Sequence, residues 1–254
     1  MWWVQAVLTG LVPALVGGFV GLVLGNLRWP LVLALVGGSA TLAAGTNVAV
    51  STVSAVGGTY KHAREGRIDR SLFLTLGGAA IVGGLLGSFL TRAAPAALLL
   101  WFITVLLLHE GARMVRAAGA SSRAPKPDAG SCRRRIGVEL LVGFGIGVLS
   151  GMVGMLLGSL RLPAMIRWLG VDARRAVGTN MAIGLAQGLA AAAGHLAQGQ
   201  VALLPLAVVG LAALLGSYVG AHFTGRLPVP ILKRAIGVVV LVAGLTVGAL
   251  AWRA

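Results

Sequence analysis

The chain has 254 residues, 57% of them apolar and 11% charged, with a formal net charge of +15. Soluble domains carry about 25% charged residues, so this chain lacks the charge to cover a water-facing surface. An ordinary soluble enzyme and a disordered segment are excluded, and an integral membrane protein is left.

Stretches free of Asp, Glu, Lys and Arg run over 1–27, 29–60, 71–91, 93–109, 140–160, 176–225 and 235–252. A helical span needs about 20 mainly apolar residues. The 176–225 stretch is long enough for two, hinged at the polar turn around His195 to Gln200. Eight spans are expected, near 4–26, 40–60, 71–92, 95–115, 138–159, 174–194, 201–223 and 230–251. The first apolar run is longer than a signal peptide needs and reads as a retained span. None of the runs alternates polar and apolar residues as barrel strands do.

The basic residues cluster between the spans, where they meet anionic headgroups. No basic helix or aromatic-studded stripe is present, so nucleic acid is not an expected partner. The lone Cys132 excludes an internal disulfide and a multi-cysteine metal site.

Residues 21–95 align without a gap on 154–228, at an offset of 133, with 22 of 75 positions identical. The matches put Arg28 on Arg161, Pro30 on Pro163, Gly45-Thr46-Asn47 on Gly178-Thr179-Asn180, His62 on His195 and Pro95 on Pro228. Shared Gly and Ala content would scatter identities and would not bring these residues into one register. The reading is a duplication: an all-α polytopic membrane protein of about eight transmembrane helices in two four-helix repeats. The first repeat covers 1–116, a basic linker 117–135, and the second repeat 136–254. Four spans per half return the chain to its starting side, so the halves are expected to be parallel, with a pseudo-twofold along the membrane normal.

One segment in each half bears on this count. Pro30–Gly38 and Pro163–Gly170 follow the first span of each repeat, and the second lies among Arg161, Arg167, Asp172, Arg174 and Arg175. These read as short re-entrant or interfacial helices, with Pro163 in the first turn and Asp172 as the N-cap of the next span. Were they to cross, each half would have five spans and the repeats would be inverted. The basic cluster Arg113–Arg135 puts both termini on the cytoplasmic side.

The pattern Ser150-Gly151-Met152-Val153-Gly154, Gly158, Pro163, Gly170, Gly178-Thr179-Asn180 and its first-half counterpart Gly21, Gly25, Pro30, Gly45-Thr46-Asn47, followed by the polar hairpin Tyr60–Asp69, resembles the TauE/SafE sulfite exporter family. The resemblance covers about residues 5–250. It implies a multi-pass carrier in the bacterial inner membrane for sulfite, sulfonates or related small anions. The chain departs from the family at Val23-Leu24-Gly25 and Leu156-Leu157-Gly158, where three glycines are usual. It departs again at Arg28 and Arg161, where an apolar residue is usual. The loop expected to meet substrate is therefore bulkier and more cationic.

Candidate site residues follow from the same positions. Arg28 and Arg161 offer planar guanidinium forks suited to an oxyanion and could converge on one; the alternative is snorkelling to lipid phosphate. Asn47, Ser51 and Ser54 share one helix face, and their repeat mates are Asn180, Gly184 and Gln187. Polar groups at this depth either line a pathway or glue helices together. The Thr46 and Thr179 hydroxyls could satisfy helix-start N–H groups or bind the anion. His62 and His195 end the same two helices, as capping residues or as proton-coupling groups. Lys61, Arg64, Arg67 and Arg70, with Glu65 and Asp69 between them, read as a solvated hairpin, and Glu110 and Glu139 as interfacial charges.

No nucleophile elbow, H-E-x-x-H or Walker sequence is present, and no cofactor is expected. The expected function is secondary transport of a small anion, driven by a proton or by the anion's own gradient. A membrane-embedded enzyme and a non-transporting scaffold are the alternatives. The expected partners are the small anion and the bilayer, with a homodimer left open.

Overall fold

The computed structural model describes residues 2–37, 39–89, 96–117, 132–153 and 156–252, and these form helices with no strand among them. The central linker beyond Ala117 up to Ser131, Gly154 of the family motif and Pro95 of the repeat lie outside the described residues. In chain order the helices are α1 (Trp2–Val20), α2 (Gly25–Leu35), α3 (Ala40–Arg64), α4 (Arg70–Leu72), which continues through a π-helical segment (Phe73–Gly77) into α5 (Gly78–Phe89), and α6 (Ala96–Ala117). Then come α7 (Cys132–Val153), α8 (Gly158–Arg167), α9 (Ala173–Ala197), α10 (Leu203–Thr224) and α11 (Val229–Ala251). Among the described residues, four helices are long and apolar enough to cross a membrane by length and composition: Trp3–Val20, Ala173–Ala197, Leu203–Thr224 and Val229–Ala249.

Local chemistry sets the helix ends. Ser39, Asp69 and Asp172 cap α3, α4 and α9, each with a side-chain oxygen that accepts an N–H of the first turn. Asp172 therefore has its expected role. The αL glycines Gly66 and Gly199 stop α3 and α9, and the next N–H, of Arg67 or Gln200, donates back to the carbonyl of His62 or His195 at 2.9 Å. That is the Schellman closure, and it needs a residue free to take positive φ.

Gly21, at φ +71°, closes α1 in the same way, with Leu22 N–H donating to Gly17 at 2.8 Å. The first span therefore ends at Val20, short of the expected residue 26, and α2 starts at Gly25. Pro163 lies inside α8, not in its first turn. Leu22, Leu24, Leu157 and Leu160, at and beside the two breaks, belong to the main apolar cluster together with Met165 and Ile183. The breaks are thus held inside protein, which is what irregular backbone at membrane depth requires.

Residue contacts give the helix directions. Gly10 meets Val209, Gly18 meets Ser217 and Gly220 meets Phe19, so α1 and α10 run parallel. Gly210 meets Val53 and Gly57 meets Leu214, so α3 also runs with α10. In contrast, Thr52 meets Gly188 while Gly58 meets Met181, so α3 and α9 are antiparallel. Likewise Thr104 faces Gly248, Leu108 faces Gly244 and Val115 faces Gly237, so α6 and α11 are antiparallel.

The expected parallel halves are corrected by these contacts. Helices α3 and α9 occupy the same place in the 133-residue offset, as do α6 and α11. A twofold along the membrane normal would make each pair parallel. The reason is visible between α1 and α3. Both run with α10, so residues 21–39 carry the chain back to the opposite end. At 1.5 Å per residue, α2 supplies about 16 Å of that return, and the non-helical residues on either side supply the rest.

Glycine enables this packing. Lipid tails are as apolar as leucine, so helices associate through close contact rather than through water exclusion. A Cβ at Gly18 would collide with the carbonyl of Ser217, and one at Gly220 with that of Leu15. On the other side of the molecule, a Cβ at Gly143 would meet Leu76 and one at Gly147 would meet Ala80. Overpacking of such a contact costs about 1–3 kcal/mol. Gly220→Val is therefore expected to lower the thermal midpoint of the detergent-purified protein. Gly78→Ala, where a Cβ meets nothing within 4 Å, is not expected to lower it.

Candidate anion site at the two helix breaks

Each break is held by one asparagine. Asn47 donates Nδ2 to the Gly25 carbonyl at 3.0 Å, and Asn180 donates Nδ2 to the Gly158 carbonyl at 3.3 Å. Asn180 also donates to the Gly21 carbonyl at 2.6 Å, which ties α9 to the break after α1. Their Oδ1 atoms accept from arginine: Arg28 Nε at 3.3 Å and Arg161 Nε at 2.7 Å. A Cβ on residue 25 would lie 2.9 Å from the Ser51 hydroxyl, and one on residue 158 would lie 3.0 Å from Asn180 Nδ2. Glycine at both helix starts is therefore what lets the asparagines approach.

The arginines are 0% and 1% exposed, so neither snorkels. Arg28 Nη2 donates to Ser51 Oγ at 2.7 Å. Arg161 Nη1 donates to Gln187 Oε1 at 3.1 Å, and its Nη2 to the Asn180 carbonyl at 3.3 Å. Among the described residues no carboxylate pairs with either guanidinium. Burying a charge costs several kcal/mol unless something compensates it, and here only neutral oxygens do. The helices α2 and α8 begin at Leu24 and Leu157 without a side-chain cap, so the positive ends of two short helices lie in the same buried zone.

A small cavity opens beside the first cradle. Gly25, Asn47 and Ser51 form one wall; Leu156, Leu157 and Ser159, from the start of α8, form another. Asn47 thus faces a cavity as its register suggests. Asn180 is not among the residues that line it, and no hydrogen bond joins the two arginines.

A profile described as "Sulfite exporter TauE/SafE" matches residues 6–247. The chain belongs to the TauE/SafE sulfite exporter family. It is also 30% identical over 203 residues to "Probable membrane transporter protein YdhB" of Bacillus subtilis (strain 168), a match that covers 80% of this chain and 82% of that protein. No solved structure matches the chain.

The remaining candidates sit elsewhere. The Thr46 hydroxyl accepts from Ala202 N–H and the Thr179 hydroxyl from Asp69 N–H, both at 2.9 Å. Ala202 and Asp69 are the N-cap residues of α10 and α4, so these threonines dock the opposite hairpins instead of facing the cavity. His62 is fully buried, with Nε2 3.4 Å from the Gly18 carbonyl and Nδ1 3.3 Å from Arg67 Nη1. Both ring nitrogens are engaged, and the one facing a guanidinium has to accept. His195 is half-buried, with Nδ1 2.8 Å from Gln200 Oε1.

Glu110 is buried and bound to Arg167 at 2.7 Å, and Glu139 is buried and accepts from Thr75 at 2.6 Å. Both carboxylates are directed into the protein. Sequence reasoning gave Arg67 only a place in a solvated hairpin, whereas its Nη1 donates to the Ala221 carbonyl at 3.0 Å. The hairpin is therefore docked rather than simply solvated. The sequence reading missed Ser159 and Leu157 as cavity walls, although the departure from the glycine run marked that segment.

In the hairpin, burial pushes the Glu65 carboxyl up, but the hydrogen bond from Lys61 and the charges of Arg67 and Lys61 outweigh it and hold Glu65 below its usual value of 4.5. A depressed folded-state pKa adds stability above the unfolded value, and that stability is lost as pH falls through the folded one. Glu65→Gln is expected to lower the thermal midpoint at pH 7. The difference from the parent protein should close as pH drops below about 4.5, as melting curves across that range will show.

Proposed function

We propose that this protein is a secondary carrier of a small anion, such as sulfite or an organosulfonate, across the bacterial inner membrane. Its architecture in this reading is two inverted five-crossing halves. The short helices α2 and α8 complete the second crossing of each, and the anion path runs between α3 and α9. The observation that carries the reading is the pair of buried guanidiniums, unpaired with any carboxylate among the described residues, at the uncapped starts of two half-length helices. Anion carriers with inverted repeats use half-helix N-termini in this way, and a bound anion supplies the counter-charge that neutral amides cannot. Membership of the TauE/SafE family supports transport as the activity.

The antiparallel pairs α3/α9 and α6/α11 support the inverted relation, and five crossings per half keep both termini on one side. Proton coupling, in this reading, falls to His195 rather than His62, because both His62 ring nitrogens are already engaged.

Counterflow in proteoliposomes tests the reading, with sulfite, thiosulfate, sulfoacetate, taurine and sulfate offered in turn. Saturable flux of at least one small sulfur oxyanion is expected, and its loss in the Arg28→Gln/Arg161→Gln double variant. Absence of saturable flux for every anion, or undiminished flux in the double variant, overturns it.

A further inference from the structure

The two cradles are related by the 133-residue offset, yet they are not equivalent. All three nitrogens of the Arg161 guanidinium donate: Nε to Asn180 Oδ1, Nη1 to Gln187 Oε1 and Nη2 to the Asn180 carbonyl. Arg28 donates from Nε and Nη2, while its Nη1 is buried with no partner. The halves differ at the residue that supplies the Nη1 acceptor. The residue that occupies the Gln187 position in the first half is Ser54. A serine hydroxyl stops one atom beyond Cβ, whereas the Gln187 amide reaches two carbons further and brings an acceptor to Nη1. A buried donor left without an acceptor costs about 1–3 kcal/mol, which an anion oxygen at Nη1 would recover.

A second asymmetry lies beside it. The cavity is walled by Gly25, Asn47 and Ser51, and the last two are the residues that hold Arg28. Asn180 and Gln187, which hold Arg161, are not in that wall; neither guanidinium lines the cavity itself, and Arg28 adjoins it through the two residues that hold it. The opposite wall carries the Ser159 hydroxyl at the uncapped start of α8. The Ser51 position is Gly184 in the second half, so only the first cradle has that hydroxyl.

We infer that the two halves divide the work: Arg28 is the charge that contacts the anion, through Nη1 with the Ser51 and Ser159 hydroxyls beside it, while Arg161 is a positioning residue locked by Gln187. The inference rests on the anion-carrier reading above and narrows it to one seat in the first half, with Ser54 as the residue that keeps the seat open. The ligand chemistry is a compact oxyanion with at least two acceptor oxygens, one for the guanidinium and one for a hydroxyl. The apolar part of the lining, Val48, Leu156, Leu157 and Val247, favours a ligand without a polar tail.

Calorimetric titration of the purified full-length protein with sulfite, and separately with thiosulfate, tests it. Ser54→Gln supplies Arg28 with the acceptor that Gln187 gives Arg161, and is expected to weaken binding at least tenfold. Ser54→Ala keeps Nη1 open and is expected to stay within about twofold of the parent. Arg28→Gln is expected to abolish measurable binding, with partial recovery in Arg28→Lys, since an ammonium lacks the planar fork. Arg161→Gln is expected to lower the thermal midpoint and to weaken binding less than Arg28→Gln.

Unchanged affinity in a folded Ser54→Gln protein overturns the inference. Should that variant not fold, equal losses in Arg28→Gln and Arg161→Gln overturn it, and a clear excess loss in Arg28→Gln supports it. If the parent protein binds neither anion, the carrier reading itself fails, whereas binding that both arginines support equally removes only the division of labour.

Discussion

Two asparagines hold the centre of this molecule together. A helix broken at membrane depth exposes carbonyls and N–H groups that lipid cannot satisfy. Asn47 and Asn180 answer that problem with one side chain each, donating to the helix start with Nδ2 and accepting from an arginine with Oδ1. The arginine is thereby fixed in a rotamer that keeps its charge buried, and the short helix is fixed to the long helix that carries the asparagine. Remove the amide and three things come apart together: the break, the orientation of the guanidinium, and the docking of α2 on α3 or α8 on α9.

The same logic of reciprocal satisfaction runs along the interface between the halves. The Thr46 hydroxyl takes the N–H of the residue that caps α10, and the Thr179 hydroxyl takes that of the residue that caps α4, at equal length. Each threonine belongs to one half and each N–H to the other. The carbonyls of Arg67 and Gln200 lie against Gly178 and Gly45, where any side chain would collide. Each hairpin therefore docks where the opposing half has glycine followed by threonine. The Gly-Thr-Asn triplet is in this way three adjacent functions: a flat surface for the hairpin, a hydroxyl for its backbone, and an amide for the break.

Symmetry of the frame leaves room for asymmetry of the contents. The π-helical segment Phe73–Gly77 lies against Glu139 through Thr75, whereas the corresponding residues of α10 are regular α-helix. Arg167 in α8 pairs with Glu110 of α6, and the offset puts an alanine, Ala34, opposite Arg167. The two segments aligned at the 133-residue offset share the residues that build the breaks and differ in those that surround them. Serine and glutamine, at 54 and 187, fall in the second group.

By itself the sequence determined the chemistry that depends on short separations and on composition. The scarcity of charge specified a membrane protein, the offset of 133 paired Arg28 with Arg161 and Asn47 with Asn180, and Asp172 marked a helix start, because capping involves residues a few positions apart. The direction of the helices relative to one another was decided only by tertiary structure. Counting charge-free runs carried the first span to residue 26, past the break at Gly21, and an 11-residue helix such as α2 is too short to register as a span. Which arginine nitrogen finds an acceptor was likewise beyond the sequence. Ser54 and Gln187 read there as equivalent polar residues on one face, and only the distance from Cα to the guanidinium separates a side chain that reaches from one that falls short.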